Sequence, residues 1–474
     1  MSGVLMAKDA ALMQREPLLR ALLIAVLVLL LVALFSGAQR GAQFAQERTA
    51  AQAADHEVWL EQGERNPHSA AHFSRYAFRP VAPLALLDPG VSDFAGLAVW
   101  MEAHFQDPAD FRRAEDASQL SRFAQLSPAF LLLTAAPLLI FVMLYASIAG
   151  EREDGTMRQL LASGVGADEI YLGKLQAGLW IVLRVYTLVF LPISIVAVGG
   201  ASSGQAGDVL LRLALLYVTY AVYLSIFVAM AIGVSALCRG RLTALSTLAG
   251  LWVLMAVLVP RLGAGVATTL HPQPDARATE TRLGEASYLW WGDEQMQART
   301  REDALAQHGV DDVAKLPFNY EAYTLQASEE VSNPVFDRIY ADLVARYRAQ
   351  ESVVRSFSLL SPSLPTTSLS RALAGTDRAH HEAFTEAAET RRRQMIKMLN
   401  EDFMVHAGEA GYGYTAGRDL WERFGDFAYR APSFPSMLGR YAFDVLLLLG
   451  WLAAAVTTSR AFVRRAASGE AVAP

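Results

Sequence analysis

Residues 209–262 read VLLRLALLYVTYAVYLSIFVAMAIGVSAL, then CRGR, then LTALSTLAGLWVLMAVLVPRL. Two apolar runs, Val209–Leu237 and Leu242–Leu262, thus flank the four residues Cys238-Arg239-Gly240-Arg241. Each run reaches the roughly 20 apolar residues that a helix needs to cross a bilayer core. Backbone N–H and C=O groups find no water in lipid, so each run must bond internally as a helix. A turn this short makes the two helices antiparallel neighbours. Outward from this hairpin lie four more such stretches: Leu18–Ala38, Pro128–Ala149, Gln176–Gly199 and Met437–Phe462. The expected fold class is an all-α membrane protein with six transmembrane helices.

Composition agrees. The 474 residues are 53% hydrophobic and 19% charged, with a mean hydropathy of +0.24. A soluble domain carries about 25% charged residues, and the deficit here falls in the apolar runs. The net charge of −6 supplies no basic stripe for nucleic acid. Cys238 is the only cysteine, which excludes an internal disulfide.

Short loops set orientation through Lys and Arg. Lys8, Arg15 and Arg20 precede the first run; Arg152, Arg158 and Lys174 follow the second. Arg239 and Arg241 lie in the tight turn, and Arg460, Arg464 and Arg465 end the chain. The loop Gly200–Asp208 has none. Both termini and residues 150–175 are therefore expected on the cytoplasmic side of an inner membrane. The expected layout is an amphipathic segment 1–17, spans 18–38, 128–149, 176–199, 209–237, 242–262 and 437–462, and a tail 463–474. Residues 39–127 and 263–436 become two largely helical external (periplasmic) insertions. Ser36-Gly37-Ala38 resembles a signal-peptidase site. The preceding residues mix Lys8, Asp9, Arg15 and Glu16 with Leu12, Met13, Leu18 and Leu19, unlike a short basic leader, so the first span is expected to be retained.

Within the insertions, helices are expected at 40–63 and Asp93–His104, with Asp110–Gln125 as a lead-in to the second span, then at Glu294–Gln307, Val335–Phe357 and Thr376–His406. Pro362 and Pro365 mark a break.

After the second run the chain reads Glu151-Arg152-Glu153-Asp154-Gly155-Thr156-Met157-Arg158-Gln159-Leu160-Leu161, then Ala162-Ser163-Gly164-Val165, then Ile170-Tyr171-Leu172-Gly173-Lys174-Leu175. A short helix fits here, with Glu151 and Glu153 near its start, where the dipole favours acid. Gly155 and Gly164 permit sharp turns at either end. The plainer reading is a solvated loop whose charges only keep it in water.

This ordered segment resembles the cytoplasmic signature of the ABC-2 type permeases. The resemblance implies a coupling helix that docks on a separate ATPase through Glu151, Arg152, Glu153, Gly155, Thr156, Arg158, Leu160 and Leu161. It also implies an ABC ATPase dimer that binds ATP and Mg, a second permease, identical or paralogous, and contact with membrane lipid. A subset of that family carries large external insertions after the first and fifth spans. Leu360-Ser361-Pro362-Ser363-Leu364 and Ala372-Leu373-Ala374-Gly375-Thr376-Asp377 are similar to elements of that subset. Some members act in copper-site maturation of nitrous oxide reductase and others accompany siderophore systems. The implied function is export or extraction of a substrate; the alternative is a non-transporting mechanotransmitter acting on a periplasmic partner.

Nothing in the chain replaces that ATPase. A phosphate-cradling loop needs G-x-x-x-x-G-K-[ST], and Gly173-Lys174-Leu175 lacks the upstream glycine and the hydroxyl. No nucleophile elbow, H-E-x-x-H or paired-cysteine motif occurs, so no enzymatic centre and no cofactor of the chain's own are expected.

Ionisable residues in apolar runs are functional candidates. Arg184 could line a pathway or snorkel to the interface. Arg212, Arg261, Arg440 and Asp444 read as boundary anchors, with Asp444 spaced to pair Arg440 at i, i+4. All nine histidines lie in residues 39–127 and 263–436. His68 and His72 have a metal-friendly spacing; against it, no cysteine or methionine cluster joins them, and Pro67 argues against a helix through His68.

Overall fold

The computed structural model describes residues 2–111, 126–201 and 204–472, and the protein is 77% helical. Six helices are long and apolar enough to cross a membrane. They are α2 (Pro17–Leu60), α4 (Pro128–Glu153), α6 (Ala167–Gly199), α7 (Ala206–Leu237), α8 (Arg241–Leu270) and α15 (Phe434–Val472). Before them stands α1 (Ser2–Arg15) and, after α2, the short α3 (Pro67–Phe73). Between α4 and α6 lies α5 (Thr156–Ala162).

Helix α7 is the centre of the apolar assembly. Leu216, Tyr220, Tyr223, Ile226, Phe227, Val228, Ala229 and Ile232 on it are fully buried, and it packs against α4, α6 and α15. The outer helices keep apolar side chains exposed, among them Leu188, Leu191 and Ile195 on α6 and Leu242, Leu254 and Leu258 on α8. Exposed leucine in water would cost free energy; against hydrocarbon it costs none.

Two π-helical turns interrupt this assembly, at Leu131–Ala135 in α4 and Val253–Leu258 in α8. Such turns free backbone carbonyls, which need partners away from water. In α4 they are found: the Tyr223 hydroxyl donates to the Leu133 carbonyl at 2.7 Å and the Trp252 indole to that of Thr134 at 2.8 Å. In α8 the Met255 carbonyl accepts from the hydroxyls of Ser361 and Ser363 at 2.7 and 3.1 Å.

Those serines introduce the main departure from a simple six-helix picture. Helix α12 (Ser363–Ala374) belongs by sequence to the polar stretch between α8 and α15, yet it packs between α7 and α15. Ser370 lies 2.8 Å from the Tyr220 hydroxyl near the middle of α7, and the Trp451 indole donates to the Ser358 carbonyl at 2.9 Å. The Leu-Ser-Pro-Ser-Leu and Ala-Gly-Thr-Asp elements are thus the ends of a helix inserted among the long apolar ones. Gly375, at φ +74°, reverses the chain, and Thr376 and Asp377 attach it elsewhere. Thr376 donates to the Asp88 carbonyl, and Asp377 caps the next helix through the His380 N–H.

The polar remainder forms one body from both segments. From the second segment come α9 (Ala276–Ser287), α10 (Glu294–His308), α11 (Tyr320–Ser356), α13 (Arg378–His406) and α14 (Arg418–Arg423). Its core joins Trp59, Ala70, Ala77, Val99 and Met101 to Phe384, Met395, Leu399, Trp421 and Phe424. The Trp59 indole donates to the Trp421 carbonyl at 2.9 Å.

Asp93–His104, expected as a helix, contains strand β2 (Ala98–Met101), paired antiparallel with β1 (Arg75–Phe78). The run Ala98-Val99-Trp100-Met101 has no helical spacing, and its partner strand pairs Tyr76 with Trp100. The expected lead-in at 110–125 falls largely outside the described residues.

Candidate functional site

The 151–175 segment is built differently from the single charged-start helix expected. Glu151, Arg152 and Glu153 lie in a five-residue helical stretch, Ala149–Glu153, set off from the rest of α4 by a turn at residues 145–148, with Glu151 in its first turn. Glu151 thus stands where the dipole favours acid, whereas Glu153 closes the stretch, and both carboxylates are held by basic partners. Glu151 lies 2.5 Å from Lys174 and 3.5 Å from Lys8. The Glu153 carboxylate accepts from the Arg241 N–H at 3.0 Å, and Asp154 pairs with the Arg241 guanidinium. Arg152 turns inward and donates to the carbonyls of Ala236 and Cys238, both at 3.2 Å, which closes the end of α7.

Gly155 (φ +73°) and Gly164 (φ +84°) make the turns on either side of α5, as their spacing implied. Helix α5 buries Met157 and half-buries Leu160 and Leu161 against the apolar core. Thr156 donates to the Glu151 carbonyl at 3.3 Å. The opposite side presents Glu153, Asp154, Arg158, Gln159, Ala162 and Ser163 to solvent.

Sequence reading missed what holds this ridge. Lys174 is 5% exposed and lies 3.1 Å from Asp9 as well as against Glu151. Asp9 comes from α1, which lies along α6; at Gly173 a Cβ would come within 2.7 Å of the Leu5 Cβ. At the start of α6, Asp168 accepts two hydrogen bonds from Arg460 and two from Arg464. The ridge is therefore tied to α1, α6, α7, α8 and α15. Lys174 had a signal, being a lone lysine at the head of a largely apolar run, interrupted by Gln176 and Arg184 before Gly199.

Arg184 is exposed and its guanidinium sits 5.0 Å from the Trp180 ring, on the outside of this chain. Asp444 does not pair with Arg440; it bonds Arg355 at 3.2 Å and Ser368 at 3.1 Å. Arg440 goes to Glu351 at 3.3 Å. Arg212 is no boundary anchor but is 6% exposed, bonded to Asp208 and to the carbonyls of Ala372, Leu373 and Pro432.

A second cluster lies in the polar body. Pro67 does not prevent a helix through His68 but begins one: it occupies the first turn, where no N–H is needed, and Asn66 caps it through the His68 N–H at 2.9 Å. His68 and His72 then share a face, with their Nε2 atoms 3.2 Å apart. His104, in the loop after β2, joins them, and all three offer ligand atoms within 4.8 Å of one another. The loop is fixed by the Ala103 N–H to the Ala71 carbonyl. His104 sits at φ +64°, a conformation uncommon outside glycine. Glu329 accepts the His104 N–H and lies 3.1 Å from its Nδ1. Behind Glu329, fully buried Arg392 reaches Glu329, Glu389, Asn333 and the Glu102 carbonyl.

Burial drives His68 down to about 3, with the charges of His104 and His72 adding to it. Burial pushes Glu329 upward, but its hydrogen bonds from His104 and the charge of Arg392 hold it at about 2. Sequence spacing found His68 and His72 and not His104, which only the β2 loop brings to them.

Residues 291–430 match a family described as "Domain of unknown function (DUF3526)". The matched stretch includes Glu329, Glu389 and Arg392 but none of the three clustered histidines. No curated protein matches the chain.

Proposed function

We propose that this protein is the membrane-spanning subunit of an ABC-2 type transporter, driven by a separate ATPase that binds ATP and Mg. In this reading the chain crosses an inner membrane six times, with both termini cytoplasmic and the polar body external. The ridge at 153–163 docks on the ATPase, and a second permease chain completes the assembly. The observation that carries the reading is the anchoring of this ridge. A docking element transmits force only if it is stiffly joined to what must move, and here buried Lys174 and the Asp168 pairs join it to several long helices.

One observation favours a second reading, a mechanotransmitter that carries no substrate. Helix α15 is tied to the ridge end through Arg460 and Arg464, and at its other end Asp444 bonds Arg355 while Tyr441 bonds Asp377. Motion at the ridge therefore has a continuous helical route into the polar body.

The test is affinity isolation of the intact protein from membranes of its own host, with ATP hydrolysis measured in the eluate. The wild type is expected to bring an ATPase polypeptide. The exposed-ridge variant Glu153→Arg/Arg158→Glu is expected to insert normally and bring none. Equal ATPase recovery by both, or none by the wild type, overturns the docking assignment. Reconstituted complex that hydrolyses ATP without moving solutes or lipid selects the second reading.

A further inference from the structure

We propose that His68, His72 and His104 form a binding site for one divalent transition-metal ion, best suited to zinc. The donor set is three imidazoles drawn from two separate elements, α3 and the β2 loop. Among the described residues this is the one group of three metal-ligating side chains brought so close together.

The geometry is that of a ligand set. Two nitrogens on a tetrahedral zinc ion, with bonds of roughly 2.0–2.1 Å, lie about 3.3 Å apart. His68 Nε2 and His72 Nε2 are 3.2 Å apart. A single hydrogen bond between them accounts for that distance for two rings, but not for the approach of a third. His104 lies with its ring centroid 5.1 Å from that of His68 and 5.3 Å from that of His72. Its Nδ1 is engaged by Glu329 at 3.1 Å, so Nε2 is the nitrogen left for an ion.

That engagement is the second argument. Metal-bound histidines donate their other ring N–H to a carboxylate or carbonyl, which fixes the tautomer and raises ligand basicity. Glu329 does this for His104, and Arg392 in turn holds Glu329. The buried pair orients a half-buried loop whose left-handed residue is His104 itself. Packing alone gives no reason for a buried carboxylate to aim one imidazole at two others.

The chemistry narrows the ion. Three imidazoles with neither cysteine nor methionine disfavour monovalent copper and suit zinc, divalent copper or nickel. Three protein ligands leave the fourth position of a tetrahedral ion open, as in catalytic and exchangeable zinc sites. His72 is exposed while His68 and His104 are half-buried, so an ion reaches the site from solvent. The inference stands independently of the ATPase-coupling reading.

The test uses the full-length protein in detergent, free of any histidine tag and stripped of metal. Cobalt is titrated as a visible-absorbing stand-in for zinc, and zinc is then added in competition. One cobalt per chain is expected, with the intense absorption of a tetrahedral site, displaced stoichiometrically by zinc. His72→Asn, at an exposed position that folding tolerates, should weaken binding at least about 100-fold, the upper end of what losing an outer-shell partner costs. His104→Gln should do the same, and because that imidazole also bonds buried Glu329 its melting temperature without metal should fall below that of the wild type, whereas that of His72→Asn should not. Zinc should raise the melting temperature of the wild type only. No tetrahedral cobalt spectrum, or equal uptake by wild type and a His68→Asn/His72→Asn double variant, would overturn the proposal and leave the three rings as packing.

Discussion

Replacing Arg392 with methionine is expected to be among the most destabilising single changes in the polar body. The side chain is 0% exposed, and the carboxylates of Glu329 and Glu389 beside it are 3% and 9% exposed. It makes five hydrogen bonds: two to Glu389 at 2.8 and 3.0 Å, and one each to Glu329, Asn333 and the Glu102 carbonyl. Methionine keeps much of the volume, so cavity formation adds little. What remains is two buried carboxylates without the buried cation they share, Glu389 left with the partly exposed Arg393 and Glu329 with His104. Breaking a buried pair from one side costs about 3–5 kcal/mol, because the abandoned charge cannot return to water. For a cooperative unit of this size, each kcal/mol moves the midpoint by about 2–4 °C, so a fall of about 6–20 °C follows. The assay is thermal unfolding of the full-length protein in detergent, followed by tryptophan fluorescence, since Trp59 and Trp421 lie in this core. Adding Glu329→Gln and Glu389→Gln removes the stranded charges and should restore more than half of the loss. Lys397→Met on the same helix is the control. Lys397 pairs with Glu401 and both are exposed, so about 1 kcal/mol or less is expected. A shift below about 3 °C for Arg392→Met, or a further fall in the triple variant, would refute the buried-charge argument.

Gly173→Val should expel α1 from α6, because a Cβ there meets the Leu5 Cβ at 2.7 Å; limited proteolysis should then cleave within residues 1–16, which stay protected in the wild type. Ser361→Ala/Ser363→Ala should strand the Met255 carbonyl at a cost of about 1–3 kcal/mol, read as a lower melting temperature, and either single variant should cost less. Asp426 tends upward through burial, but hydrogen bonds from Arg75 and His56 outweigh this and hold it below its ordinary value. A depressed carboxylate contributes stability above its unfolded pKa, about 3.9, and loses it as pH falls further. Acid unfolding of Asp426→Asn should therefore be less steep below that pH than in the wild type, and identical profiles would remove the group from the acid response.

The six apolar helices were legible because the length rule that creates them is local: each run carries its own evidence. So were the turns at Gly155 and Gly164, which a single residue decides. Partners distant in sequence were not. Asp444 has Arg440 at the spacing that helices favour, yet it bonds Arg355, because burial at its side of α15 rewards the partner that arrives from α11. Glu151 was expected as a docking residue, and its pairing with buried Lys174 was not legible, because nothing in residues 151–175 reveals that α1 lies along α6. His104 had no local mark at all. Helix α12 was hidden by its own composition: its serines and threonines read as polar surface, and only the opened turn of α8 explains where their hydroxyls go.

That placement of α12 has a practical consequence for anyone who would divide this protein. The stretch between α8 and α15 looks, by hydropathy, like a soluble module to be cut out and produced alone. Its Leu369 and Ala372 are packed against Ile226 and Tyr441, and Leu373 and Ala374 belong to the core around α7. Excision would turn those contacts into a sticky surface and leave Ser361, Ser363 and Ser370 without the acceptors and donors that position them. A fragment of residues 271–433 should therefore aggregate unless residues 357–374 are deleted or redesigned, and the polar body's orientation is inseparable from the bundle in which that helix is seated.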